Sequence, residues 1–182
     1  MIGYLKGQIK LKYKDTVLVV VDNLGYEVFV PAPALEKARV GEEQEWFTHE
    51  YLRENARELY GFPSREELAL FRDLLKVSGV GPKMALNVLS LGEERVRAAI
   101  TAGDASLLAS VSGVGKKTAQ KIVLELKGIL SEADGMAAHE EALDALKRIG
   151  YSLREAQEAL RHATGETVEE HIKSALKILG KR

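Results

Sequence analysis

Val77-Ser-Gly-Val-Gly81 recurs as Val111-Ser-Gly-Val-Gly115, an offset of 34 residues. The match runs on through Ala85 against Ala119 and Val88-Leu89 against Ile122-Val123, and similarity at a fixed offset marks a duplicated structural unit. Each copy reads as an apolar helix, a glycine turn, and a second helix opening on lysine: Pro82-Lys83 in one, Lys116-Lys117 in the other. Two glycines one residue apart permit positive φ and strip the turn of side chains. Free N–H groups at the start of the following helix then face an approaching anion. Pro82 suits the first helical position, where its missing N–H goes unused. Lysines in that first turn oppose the helix dipole, and a phosphate between dipole and lysine resolves the conflict. The competing reading is a pair of plain helical hairpins with solvated lysines, and two identical turns tell against it.

The sequence changes grammar on either side of this repeat. Residues 64–130 have helical period throughout: Ser64-Arg-Glu-Glu67 is a capping box, and Leu68, Phe71 and Leu75 fall on one stripe. Residues 1–63 read as β-structure. Thr16–Val21 and Tyr26–Val30 are rich in β-branched and aromatic residues, with the turn formers Asp22-Asn-Leu-Gly25 between them. Pro31 and Pro33 stop the second strand and start a short helix. Met1–Lys12, Glu45–Tyr51 and Arg57–Gly61 supply three more strands. Five short strands in so small a unit predict a closed barrel of the OB type, because closure removes exposed edges. Residues 131–138, Ser-Glu-Ala-Asp-Gly-Met-Ala-Ala, break the period and read as a flexible linker. Residues 139–182 read as a three-helix bundle, with capping boxes at Ser152–Glu155 and Thr167–Glu170 and a stop at Gly150. The fold class is therefore multidomain α+β: barrel, tandem hairpins, bundle.

Composition excludes much. The 182 residues contain no cysteine, which removes disulfides, thiolate metal sites, iron–sulfur clusters and a cysteine nucleophile. The longest apolar run, Val17–Val21, is strand-sized, and the N-terminal residues lack the layout of a secretory signal. A cytoplasmic setting is expected. The formal charge is −1 overall, but 1–63 carry 8 basic and 10 acidic residues, 64–130 carry 10 and 7, and 131–182 carry 8 and 10. The one basic segment holds both Gly-Val-Gly turns.

The pattern hydrophobic-x-Gly-hydrophobic-Gly-x-Lys-x-Ala resembles the helix-hairpin-helix motif, which binds DNA backbone without reading bases. Two such motifs after an OB-like barrel, with Glu58-Leu-Tyr-Gly-Phe62, Met1-Ile-Gly3 and Gly25-Tyr-Glu-Val28, resemble the RuvA family, Holliday-junction-binding subunits of the bacterial branch-migration complex. The resemblance spans essentially the whole chain. It implies backbone contacts at Gly79, Gly81, Lys83, Gly113, Gly115, Lys116 and Lys117, with Lys121 a weaker candidate one turn further on. It also implies an acidic pin at the junction crossover; Glu54 matches, and Asn55 stands where a second acid is usual. The tail resembles the family's ubiquitin-associated-type third domain, which docks the ATP-driven motor RuvB, and Leu146, Ile149, Tyr151 and Leu153 are the candidate docking residues. A homotetramer is implied, one or two per junction, with the resolvase RuvC a further partner and no membrane association.

Rival readings are weaker. Gly115-Lys-Lys-Thr118 resembles the end of a Walker A loop, but Ser110 stands where its first glycine belongs and Lys117 where Ser or Thr belongs. No ATP or other cofactor is expected on this chain, and no catalytic residue. His49, His139, His162 and His171 show no ligand spacing, so no metal is expected. The serious alternative is a helix-hairpin-helix DNA glycosylase or lyase, whose aspartate would be Asp134, but no helical domain large enough to hold a flipped base precedes the motif.

Overall fold

Strand β1 (Tyr4–Lys12) alternates through its first half, with Leu5, Gly7 and Ile9 facing inward. A register shift between Ile9 and Leu11 then bends it. Its first half pairs with β4 (Glu43–Arg53) and its second with β2 (Thr16–Val21). β2 turns into β3 (Leu24–Phe29) through Asp22 and Asn23, with Asp22 at φ 51°. The turn is shorter than the sequence suggests, and Gly25 pairs with Val20 inside the hairpin. With β5 (Ala56–Phe62) the strands close into a barrel of order β1-β2-β3-β5-β4, in which only β3 and β5 run parallel. This is the expected OB-type topology. Ile9, Val17, Val19, Val28 and Trp46 fill the interior, and α1 (Ala32–Lys37) buries Ala34 against it.

The computed structural model describes residues 1–54, 56–165 and 167–180, the side chains of 131–137 excepted. It resolves into two compact units, Met1–Lys127 and Gly128–Arg182. The first holds the barrel and the tandem hairpins together. α2 (Arg65–Lys76) starts at Ser64, whose Oγ accepts a hydrogen bond from the Glu67 N–H at 3.1 Å. It buries Leu68, Leu70, Phe71 and Leu74, while Leu75, expected on the stripe, is only half-buried. Phe71 joins the two segments. Its ring centre lies 5.3 Å from that of Tyr60, 4.7 Å from that of Phe62 and 5.6 Å from that of His49, the last pair packing edge-on. Burial and the nearby Arg72 cation push the His49 imidazole below its ordinary value, so it packs as a neutral ring. At the start of α2, burial first and Glu93 second push the Glu67 carboxyl up to about 7, against the pull of Lys37.

Between the hairpins α3 (Pro82–Leu89), α4 (Glu93–Ala102) and α5 (Ala105–Ala109) follow one another. α6 (Lys116–Ile149) then runs for 34 residues. The flexible linker expected at 131–138 is corrected here: the backbone is helical throughout that stretch. Ser, Glu, Met and three alanines are acceptable or good helix formers, and the lone Gly135 costs only about 1 kcal/mol. In the second unit, α7 (Leu153–Arg161) and α8 (Val168–Leu179) complete a small bundle around Ala142, Leu146, Ala156, Ala159, Leu160 and Ala175. Ser152 and Glu155 form both halves of a capping box, and Gly150 at φ 111° ends α6. No helix among the described residues is long and apolar enough to cross a membrane.

Phe71→Ala would remove the side chain shared by barrel and hairpins. It is expected to cost about 3–5 kcal/mol of stability, read as a lower urea midpoint for the first unit in the full-length chain.

Candidate nucleic-acid interface

Each glycine turn is built around its valine. Val80 and Val114 are 7% and 5% exposed, while the glycines on either side face solvent. The geometry repeats almost bond for bond. Val80 N–H donates to Val77 O and Val114 N–H to Val111 O, both at 3.0 Å; Ala85 N–H donates to Gly81 O and Ala119 N–H to Gly115 O, both at 2.9 Å. Gly79 and Gly113 stand at φ 90° and 86°, where an L-residue is strained. Around Gly79, Gly81, Gly113 and Gly115 a Cβ would meet no atom within 4 Å. Space inside the protein therefore does not require these four glycines. Among the described residues no carbonyl or side chain accepts from their N–H groups. The turns thus present unpaired amide donors on an uncluttered backbone, the arrangement that receives an anion.

The lysines stand beside them. Lys83, Lys116 and Lys117 are exposed, and no ion pair among the described residues involves them. Lys83 Nζ lies 5.8 Å from the centre of the Phe29 ring, which ties the first hairpin to the barrel. Lys121 is placed differently: its Nζ donates to Ser78 O, in the first turn, at 3.2 Å. Sequence reading missed its counterpart, Asn87, whose Nδ2 donates to Ser112 O in the second turn at 3.4 Å. The signal was present, because Asn87 and Lys121 are separated by the same offset as Ser78 and Ser112.

Glu54 sits exposed at the tip of the β4–β5 hairpin, beyond the last pair Arg53 and Ala56. Asn55 lies outside the described residues. The base of the hairpin is held by Glu50, whose side chain is buried and accepts from Arg57 Nε and from Ile2 N–H at 3.2 Å. Arg53 lies over the Tyr51 ring at 4.8 Å. In the second unit the four candidate docking residues separate. Leu146, expected on the docking surface, is corrected to core at 0% exposure, because three short helices have few other large side chains to bury. Tyr151 packs half-buried against that core, and Ile149 and Leu153 are exposed. His139 and His171, apart in sequence, approach to 6.4 Å in this unit, but no cluster of metal-binding side chains forms among the described residues. The side chain of Asp134 lies outside the described residues.

A barrel fused to duplicated glycine turns with open amides and free lysines defines a protein of the tandem helix-hairpin-helix class. Family comparisons agree segment by segment: a RuvA N-terminal domain over 1–61, a SAM-like helix-hairpin-helix tandem over 71–127, and a RuvA C-terminal domain over 137–180. Proteins named Holliday junction branch migration complex subunit RuvA, from a Polaromonas species and from Methylibium petroleiphilum, are each 42% identical over the full length of both chains. One from Caldanaerobacter subterraneus is 39% identical, again over the full length of both. The chain belongs to the RuvA family. That membership does not favour the glycosylase alternative.

Lysines that oppose a helix dipole with no acid to pair them should cost stability in the free protein. Lys117→Gln is therefore expected to raise the stability of the unliganded chain by about 0.3–1 kcal/mol at low salt, with the gain shrinking as salt is added; thermal melts at two ionic strengths check it.

Proposed function

We propose that this chain binds four-way DNA junctions as a homotetramer, holds them open and square, and recruits the ATP-driven motor RuvB for branch migration in recombination and repair. The observation that carries this reading is the pair of matched turns, with open N–H groups and unpaired lysines, in a chain whose full-length relatives are branch-migration subunits. Gly79, Gly81, Lys83, Gly113, Gly115, Lys116 and Lys117 contact the phosphates of one arm per subunit. Such contacts fix position and carry no base information, so recognition is by junction shape. Four copies of a modest patch raise affinity through multivalency.

Glu54 acts as the pin. A carboxylate at the crossover repels the phosphates crowded there and helps keep the strands apart. In the second unit, Ile149 and Leu153, with the half-buried Tyr151 between them, form the surface that meets the motor. The chain itself is non-catalytic, uses no cofactor, works in the cytoplasm, and leaves ATP to RuvB. RuvC is a further partner, and one or two tetramers clasp a junction.

Gel shifts with a four-way junction and a plain duplex at equal salt test the reading. Preference for the junction is expected, with affinity falling steeply as salt rises through counterion release. Lys83→Glu or Lys117→Glu should weaken every junction sequence alike. Equal binding of junction and duplex would sink the proposal. For the pin, Glu54→Gln is expected to tighten junction binding and alter the migration rate, and unchanged behaviour on both measures would remove Glu54 from the mechanism.

A further inference from the structure

The two hairpins are cross-bonded through groups that occupy equivalent positions in the repeat. Lys121, on the second helix of the second copy, donates to Ser78 O in the turn of the first, at 3.2 Å. Asn87, on the second helix of the first copy, donates to Ser112 O in the turn of the second, at 3.4 Å. Both donor and acceptor pairs are separated by 34 residues, the offset of the duplication itself. One bond is thus the pseudo-two-fold image of the other, although one donor is an ammonium and the other an amide.

What these bonds hold is specific. Ser78 O and Gly79 N–H belong to one peptide plane, as do Ser112 O and Gly113 N–H. In a trans peptide the carbonyl and the N–H point in opposite directions, and no cis peptide bond is present among the described residues. Drawing the Ser112 carbonyl toward Asn87 therefore turns the Gly113 N–H away from the opposite hairpin. The Lys121 bond does the same for Gly79. Gly79 and Gly113 are the two positive-φ residues of the turns, where freedom of the plane is greatest and no Cβ restrains it. Both of these N–H groups lack a protein acceptor among the described residues.

We infer that Asn87 and Lys121 are positioning residues: each sets the amide orientation of the other hairpin's turn, so that the two turns present their donors at one fixed spacing. The inference rests on the phosphate-binding reading above and deepens it. Lys121 keeps two further N–H groups and its charge, so replacing it mixes two effects. Asn87 is uncharged and isolates one.

The test uses the full-length protein and a synthetic four-way junction, with Kd measured across a salt series. Asn87→Leu keeps the size and removes the donor; Asn87→Gln keeps a donor on a longer arm. For Asn87→Leu a three- to tenfold loss of affinity is expected, with the slope of log Kd against log salt unchanged, because no phosphate contact is removed. Its melting temperature should match the parent, since the residue is exposed. Asn87→Gln should recover most of the affinity. Parental affinity in Asn87→Leu, a shallower salt slope, a loss that tracks a lowered melting temperature, or no recovery in Asn87→Gln would each overturn the inference. Lys117→Glu serves as the control for the underlying reading. If it binds the junction like the parent, the phosphate-binding assignment fails, and that result is separate from any outcome at position 87.

Discussion

A buried valine between two exposed glycines is the constraint on which the proposed interface depends. Val80 and Val114 anchor their turns in the helical core, each burial being worth about 1.5 kcal/mol or more. The glycines beside them are then free to expose bare backbone without losing the shape of the turn. A turn without the valine would have no reason to stay folded with its amides unpaired. A turn without the glycines would cover those amides with side chains. Because each requirement falls on a different residue, stability and accessibility coexist within five positions.

The turns are useful only if carried rigidly, and the β5 segment Glu58-Leu-Tyr-Gly-Phe62 supplies the mounting. Its alternation sends side chains to two places. Leu59 enters the barrel core. Gly61 lies where a Cβ would come within 2.5 Å of Val28 Cγ1 and 3.4 Å of the Trp46 ring. Tyr60 and Phe62 face the other way and pack on Phe71 of α2. Tyr60 also stacks on Phe29 at 5.3 Å, and Lys83 of the first hairpin lies over that same ring. A row of aromatic contacts thus runs from the barrel to the first lysine of the interface.

Charge follows the same local logic. A total of −1 conceals −2, +3 and −2 for residues 1–63, 64–130 and 131–182. Elsewhere several exposed cations are paired, as Lys6 is with Glu43 and Glu45 and Lys76 is with Asp73. Among the described residues, the lysines that open α3 and α6 have no such partner. Leaving them unpaired against a helix dipole makes sense where an anion completes the arrangement.

Much of this was legible in the linear chain. Strand alternation, the capping residues Ser64, Ser152 and Thr167, and the glycine repeat are local signals, set by steric and hydrogen-bonding preferences within a few residues. The break expected at 131–138 was misread because a loss of apolar periodicity looks the same in a solvated helix and in a linker. Leu146 is expected on the docking surface from family resemblance alone, and resemblance does not say which apolar side chains so small a bundle must bury. Asn87 is marked only by its 34-residue offset from Lys121, and nothing in its immediate neighbours points to a bond. The sequence by itself determined the turns and the residue types that line them. Only the tertiary structure decided how the two turns are held to each other, because the bonds from Asn87 to Ser112 and from Lys121 to Ser78 join groups 25 and 43 residues apart, and such pairings exist only once the chain has brought its two copies face to face.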